Sequence, residues 1–298
     1  MVYGGIKMVK KIEVNIHENN DSKTKLINLT GRNKIILELG CASGYISKYL
    51  KQNHCTVYAV EIDKEAAKIA KKYCKKLVIE DMESINYSKT FAGINFDVIL
   101  LGDVLEHLKD PENLLLKIKD LLNNNGYIII SIPNIAHGSI RIKLLNGKFQ
   151  YSEEGILDKT HLKFFTKSSI SHLLEKCGYF IEIMDRTIVD YRSDLDYLPQ
   201  SLKEEVAKYL YTDSEATTYQ FIIKASMFKE ATFINKVRKE LDQKQIEIND
   251  KNIVINKYKI IVEEKDREIK ELLLLKNRIK NNKLYKLYKN TKQLIKGD

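Results

Sequence analysis

Seven apolar runs punctuate the first 225 positions of the chain: KIILEL (34–39), TVYAVE (56–61), LVIE (77–80), FDVILL (96–101), GYIIISI (126–132), YFIEIM (179–184) and YQFIIKA (219–225). Most are continuous rather than alternating, as in strands buried on both faces. Between them lie stretches in which apolar residues return every three or four positions, such as KEAAKIAKKYCKK (64–76) and PENLLLKIKDLL (111–122). That is the spacing of helices with one buried face. Strands and helices in this alternation predict an α/β domain over residues 1–230, a doubly wound, largely parallel sheet covered on both sides.

After about residue 230 the period changes. Gly and Pro vanish until Gly297, and Ile234, Leu241, Ile248, Ile255, Val262 and Ile269 fall seven residues apart. The second seam is poorer, with Val237, Tyr258, Leu272 and Ile279 apolar but Lys244, Lys251 and Lys265 charged. The pattern predicts a long helix and an imperfect coiled coil over 231–298. At 1.5 Å per residue, 232–280 as one helix is about 70 Å long. A lone helix cannot bury such a stripe, so a homo-oligomer through the coiled coil is the expectation.

Composition changes the picture in three places. With 298 residues, 44% of them hydrophobic, the chain is long enough for one full core and an appendage. No run approaches the roughly 20 apolar residues of a spanning helix, and the N-terminus has no apolar signal core, so a soluble, cytoplasmic protein is expected. Cys41, Cys55, Cys74 and Cys177 show no CxxC pair, so neither a zinc cage nor a disulfide framework is expected, and no metal site. The net charge of +10 is unevenly spread: from Thr232 onward 18 Lys and Arg face 10 Asp and Glu, leaving the body near neutral. A neutral body excludes a nucleic-acid acceptor, because phosphate contacts need a basic surface around the site. Residues 276–298 hold eight basic side chains and one acid, with Leu284, Tyr285, Leu287, Tyr288, Leu294 and Ile295 among the lysines. This suits contact with an anionic membrane surface.

Candidate chemistry begins where the first strand ends. IILELGCASG (35–44) passes from an acid into the smallest residues of the chain, which implies a close approach to the backbone. A phosphate loop would need GxxxxGK[ST], and Ser47 and Lys48 stand in the wrong order and place. The dinucleotide fingerprint needs Gly or Ala near position 45, where Tyr45 stands. Glu61, at the end of the second strand, is 21 residues after Gly40, where a carboxylate can accept both hydroxyls of a ribose. Asp81 ends the third strand and Asp103 the fourth, followed by Leu105-Glu106-His107-Leu108 and then Asp110-Pro111 at a helix start. Acids or glycine turns at the ends of four successive strands place one crevice at the carboxyl edge of the sheet.

Over residues 30–225 this series, Glu38-Leu39-Gly40-Cys41-Ala42-Ser43-Gly44 followed by Glu61, Asp81 and Asp103, resembles the class I S-adenosylmethionine-dependent methyltransferases. The resemblance implies a Rossmann-like seven-stranded sheet with an antiparallel last strand, for which YQFIIKA is placed. It also implies S-adenosylmethionine as cofactor, lined by Glu38, Gly40, Ala42, Gly44, Glu61, Asp81 and Asp103, with Asp81 at the adenine amine.

Methyl transfer from a sulfonium needs an acceptor held in line and, for a hydroxyl, a base. His107, His137 and His161 are candidates, with Asp158 three residues before His161 as the acid to orient it. Amide and exocyclic-amine acceptors are disfavoured, because Gly102-Asp103-Val104-Leu105 stands where the family's N-methyltransferases carry [ND]PP[YF]. PNxxH (133–137) and GILDKTHLKFFT (155–166) resemble a glycan-associated subgroup and, more distantly, quinone O-methyltransferases. The expectation is O-methylation of a sugar or cell-surface glycan precursor by His161, Asp158 and His107. The alternatives are a small aromatic or quinone-type acceptor, or a scaffold that binds the cofactor without turnover.

Overall fold

A computed structural model of the chain describes residues 18–228 and 230–281, together with Leu287; within the last helix the described side chains are those of Arg238 and residues 241–280. The chain divides after Phe228 into an α/β body and a C-terminal helical unit. The body runs α1 (Ser22–Thr30), β1 (Ile35–Leu39), α2 (Tyr45–Gln52), β2 (Thr56–Glu61), α3 (Lys64–Ala70), β3 (Lys76–Ile79), α4 (Tyr87–Thr90), β4 (Phe96–Gly102) and α5 (Pro111–Lys119). It continues with β5 (Leu122–Pro133), α6 (Gly138–Leu145), α7 (Lys167–Lys176), β6 (Tyr179–Ile188), α8 (Gln200–Thr212) and β7 (Thr218–Met227). The seven strands form one sheet in the order β3-β2-β1-β4-β5-β7-β6. β1 to β5 are parallel, and β7 lies antiparallel between β5 and β6, as expected of YQFIIKA.

Both faces of the central strands β1, β2, β4 and β5 are largely buried, which is why they read as continuous apolar runs, whereas the edge strands β3 and β6 are partly exposed. Leu37, Leu39, Ile99, Leu101, Ile128 and Ile130 pack on one side with Leu114, Leu115 and Ile118 of α5 and with Ile170 and Leu174 of α7. Their neighbours Ile36, Val98, Leu100 and Ile129 pack on the other with Leu26 and Ile27 of α1 and with Ile46 and Leu50 of α2. Helix starts follow local chemistry: Asp63 accepts from Glu65 N and Ala66 N at the head of α3, and Asp110 accepts from Asn113 N with Pro111 as the first helical residue of α5. α5 stops at Lys119, short of the expected 122, because Leu122 already pairs with Phe96 as the first residue of β5. Leu105–His107 forms a separate 3-10 turn ahead of α5.

The C-terminal unit is one helix, α9 (Glu230–Asn281). Its described apolar positions are open to solvent, including Leu241, Ile248, Ile255, Val262 and Ile269 of the heptad series. Lys265 pairs with Glu268 one turn on, at 2.8 Å. The Ile234 and Val237 side chains and the basic end from residue 282 lie outside the described residues, Leu287 apart. Among the described residues no helix is long and apolar enough to cross a membrane.

The turn after β1 is constrained at Gly44, which has φ +76° and leads into α2. A Cβ built there would stand 2.9 Å from the Cα of Ala70 in α3. Replacing Gly44 by Ala combines a left-handed residue with overpacking and is expected to cost about 2–4 kcal/mol. Gly93→Ala, at φ +73° with nothing within 4 Å of its Cβ, is expected to cost about 1 kcal/mol. Urea unfolding of both variants checks this; equal losses would remove the packing argument.

Candidate active site at the carboxyl edge of the sheet

The site begins on the loop from β1 to α2. Gly40, Ala42 and Gly44 all have positive φ, at +72°, +45° and +76°. This left-handed backbone folds the loop tightly, with Gly44 N donating to Cys41 O at 2.8 Å. Gly40 N donates to Val60 O at 2.9 Å, which ties the loop to β2. Glu61 ends β2 with its carboxylate turned back to this loop: Oε2 accepts from Ala42 N at 2.7 Å and Oε1 from Asp63 N at 2.8 Å. Each oxygen keeps a second lone pair, so the side chain can also accept from a diol. Asp81 is exposed beyond β3, its Oδ1 accepting from Glu83 N at 2.9 Å.

Glu38 stands elsewhere than expected. It is 3% exposed, beneath the loop, and accepts a hydrogen bond from the Ser47 hydroxyl of α2. Burial pushes its carboxyl up to about 8, against the Ser47 hydroxyl, which pulls it down. It therefore joins β1 to α2 from beneath the loop.

Asp103 follows β4 with φ +54°, a conformation costly for a non-glycine residue and frequent at functional sites. Its geometry is held by β5 and β7: the Ser131 hydroxyl donates to Oδ1 at 2.7 Å, and Gln220 Nε2 donates to the same oxygen at 2.9 Å. Ser131 and Gln220 had no motif to mark them, since their role depends on strand order. With Gly40 and Glu61, Asp103 stands at the ends of β1, β2 and β4, where the winding of the sheet reverses and α/β folds open their crevice.

Beyond Asp103 the chain gathers Glu106, His107 and His161, with donor atoms all within 4.8 Å of one another. The imidazole rings of His107 and His161 meet edge to face at 4.8 Å. His161 is brought in because Leu162 N and Lys163 N donate to the Glu106 carbonyl at 2.7 and 3.0 Å. Its orientation differs from the expectation. His161 Nδ1 lies 3.0 Å from the Ile156 carbonyl, whereas Asp158 accepts from the backbone N and the hydroxyl of Thr160. Asp158 closes a turn and a backbone carbonyl orients the imidazole. Nδ1 thus carries the hydrogen, and Nε2 keeps the lone pair a base needs.

His107 Nδ1 lies 3.2 Å from both oxygens of Thr160, and burial, chiefly, holds this imidazole below its ordinary value. His137 is a cap. It is 1% exposed, accepts from Ser139 N at the head of α6 and contacts the Val189 carbonyl through Nε2 at 3.0 Å. That bonding leaves it no capacity as a base.

Glu106, absent from the expected site, is 1% exposed, and both carboxylate oxygens lack a partner. Burial, and then the charge of Asp103, pushes its carboxyl well above the ordinary range. A buried carboxyl without a partner is satisfied by a proton or by a cation. The spacing to the two imidazoles permits a metal ion here, which the cysteine spacings could not indicate. The only signal in the sequence is its place beside His107 in Leu105-Glu106-His107-Leu108.

The sequence pattern of the family described as "Methyltransferase domain" matches residues 13–182, and the chain belongs to that family. Its methyl donor is S-adenosylmethionine, and the Gly40–Gly44 loop with Glu61, Asp81 and Asp103 suits a nucleoside with a charged tail. Among curated proteins, the chain is 27% identical over 147 residues to a ubiquinone biosynthesis O-methyltransferase of Dinoroseobacter shibae, spanning 48% of this chain and 58% of that one. It is 23% identical over 149 residues to the protein of the same name from a Shewanella species, spanning 48% and 61%. The chain thus spans under two thirds of the length of these relatives. Among solved structures, a SAM-dependent methyltransferase from Archaeoglobus fulgidus aligns with a TM-score of 0.48 and 18% identity over 68% of this chain and 91% of that one. Magnesium protoporphyrin IX methyltransferase from Synechocystis with bound SAH aligns with a TM-score of 0.46 and 15% identity over 69% and 80%.

Glu38 generates a pH test. Its folded value of about 8 lies above the ordinary 4.5, so the folded chain holds a proton that the unfolded chain releases between those values. The associated stability is complete below about pH 4.5 and is lost as pH rises through about 8. Glu38→Gln should flatten this dependence, losing less stability than the parent between pH near 6 and pH near 9 in urea titrations. Parallel slopes for the two proteins would remove the assignment.

Proposed function

We propose that this chain transfers a methyl group from S-adenosylmethionine to a hydroxyl of a small aromatic, quinone-type acceptor. The observation that carries the reading is His161, a buried imidazole with Nδ1 committed to the Ile156 carbonyl, in contact with His107 and tied to the turn that follows Asp103. The bound cofactor supplies an activated methyl on a sulfonium. The chain supplies the rest. The β1–α2 loop and Glu61 fix the nucleoside end, Asp103 adds negative charge near the sulfonium, and His161 takes the hydroxyl proton as the oxygen attacks. His161 is buried, which limits competition from water for the proton, while His107 is exposed beside it.

The glycan acceptor first expected from PNxxH and GILDKTHLKFFT gives way here to the aromatic one. Its support is the printed name of the curated relatives, ubiquinone biosynthesis O-methyltransferase, at low identity and partial length. The exposed heptad stripe of α9 supports homo-oligomerisation through that helix.

Labelled S-adenosylmethionine and a dihydroxybenzoate should yield a labelled methyl ether. His161→Gln should lower kcat by about 10²–10⁴-fold with cofactor affinity retained, and Glu61→Ala should lose that affinity. Full activity of His161→Gln would exclude it as the base, and label found only in sugar fractions would return the acceptor to a glycan. For α9, light scattering should show an oligomer that becomes a monomer when residues 232–298 are removed. The same mass per particle before and after would exclude this helix as the interface.

A further inference from the structure

Between α6 and α7 the fold leaves aromatic side chains in water. Phe149 is 45% exposed and Tyr151 56%, yet these rings are gathered. Phe149 meets Tyr151 edge to face at 5.4 Å and Phe164 at 6.2 Å, and Tyr151 lies 6.5 Å from Phe164 with planes 34° apart. Phe164 then meets His161 at 6.4 Å, and His161 meets His107 at 4.8 Å. One continuous line of rings therefore runs from exposed surface to the imidazole assigned as base. Contiguous exposed apolar surface is a feature of interaction sites and ligand-binding grooves.

The backbone beneath these rings is fixed. Ser152 N donates to Leu157 O at 2.8 Å, Lys159 N to Ser152 O at 3.0 Å, and Ile135 N to Phe165 O at 2.9 Å, which anchors the segment to the chain leaving β5. Gly155 brings the turn against β7, where a Cβ would stand 2.9 Å from the Tyr219 hydroxyl. The polar groups of the turn are largely spent on one another: Lys159 pairs with Glu153, the Ser152 hydroxyl donates to Glu154 O, and the Thr160 hydroxyl donates to Asp158. A sugar would need such groups for its several hydroxyls. A flat ring needs mainly faces and edges to contact.

We infer that Phe149, Tyr151 and Phe164 form the shelf on which the acceptor lies, and that they select a planar hydroxylated aromatic whose hydroxyl reaches His161. The inference rests on the methyl-transfer reading above and names the subsite that reading lacks. Stacking on such rings contributes affinity without touching the reacting atoms, so its loss falls on KM more than on kcat.

The test uses the full chain with 3,4-dihydroxybenzoate as probe, its binding followed by saturation-transfer NMR and its methylation by label transfer. The double variant Phe149→Ala/Tyr151→Ala should weaken binding and raise KM about tenfold, with affinity for S-adenosylmethionine unchanged as the measure of folding. Tyr209→Ala, an equally exposed ring on α8, should behave as the parent. Binding that is lost in the double variant without methylation of the probe would uphold the shelf and overturn the proposed reaction. Methylation with the same KM in parent and double variant would uphold the reaction and overturn the shelf. If methyl glucoside binds with the tenfold sensitivity and dihydroxybenzoate does not, the choice of an aromatic acceptor is overturned.

Discussion

Where the chain leaves β1, Gly44 comes so near α3 that only a hydrogen fits between its Cα and the backbone of Ala70. The rest of the site depends on that contact. It lets α2 and α3 close on the same loop, and the closed loop turns Ala42 N toward Glu61. A side chain at Gly44 would push the loop from α3 and withdraw the amide from the carboxylate. Gly40 answers to a different neighbour, since its Cβ would meet a Val104 methyl at 3.0 Å beyond β4. One glycine thus sets the loop against the helix, and the other sets it against the turn carrying Asp103.

The carboxylates around this loop fall into two kinds, separated by what their oxygens meet. Glu61 and Asp103 have hydrogen-bond donors on their oxygens and stand at strand ends, where they can meet a ligand. Glu38 and Glu106 are buried, and burial raises both. Glu38 has the Ser47 hydroxyl for company and belongs to the scaffold. Glu106 has no partner, and its burial pushes the carboxyl toward the protonated form. Among the described residues the fold thus keeps an unmet carboxyl beside the histidines, whereas Glu38 and Glu61 at the β1–α2 loop are both bonded.

Strand placement was legible in the sequence because burial on both faces writes itself as unbroken apolar runs, and each of the seven became a strand. The acids at strand ends were legible for the same reason, since a strand end can be counted. What could not be read was anything set by lateral order. Ser131 and Gln220 lie 89 positions apart and converge on Asp103 only because β7 inserts antiparallel between β5 and β6. Asp158 illustrates the opposite error. Three residues from His161, it was expected to orient the ring, but a turn residue bonds first to the amide and hydroxyl two positions on. The imidazole takes the carbonyl five positions back instead.

The acceptor side follows from the same economy of hydrogen bonds. In the segment from residue 147 to 165 Ser152, Glu153, Asp158, Lys159 and Thr160 bond within the turn, and a group of rings stands beside them near the histidines. Nothing in the turn itself requires aromatic residues at 149 and 151, because its backbone bonds run through Ser152, Leu157 and Lys159. A turn that needed only to close would carry polar side chains at such exposed positions. Two half-exposed rings that reach His161 through Phe164 are therefore better explained by what they meet than by what they hold together.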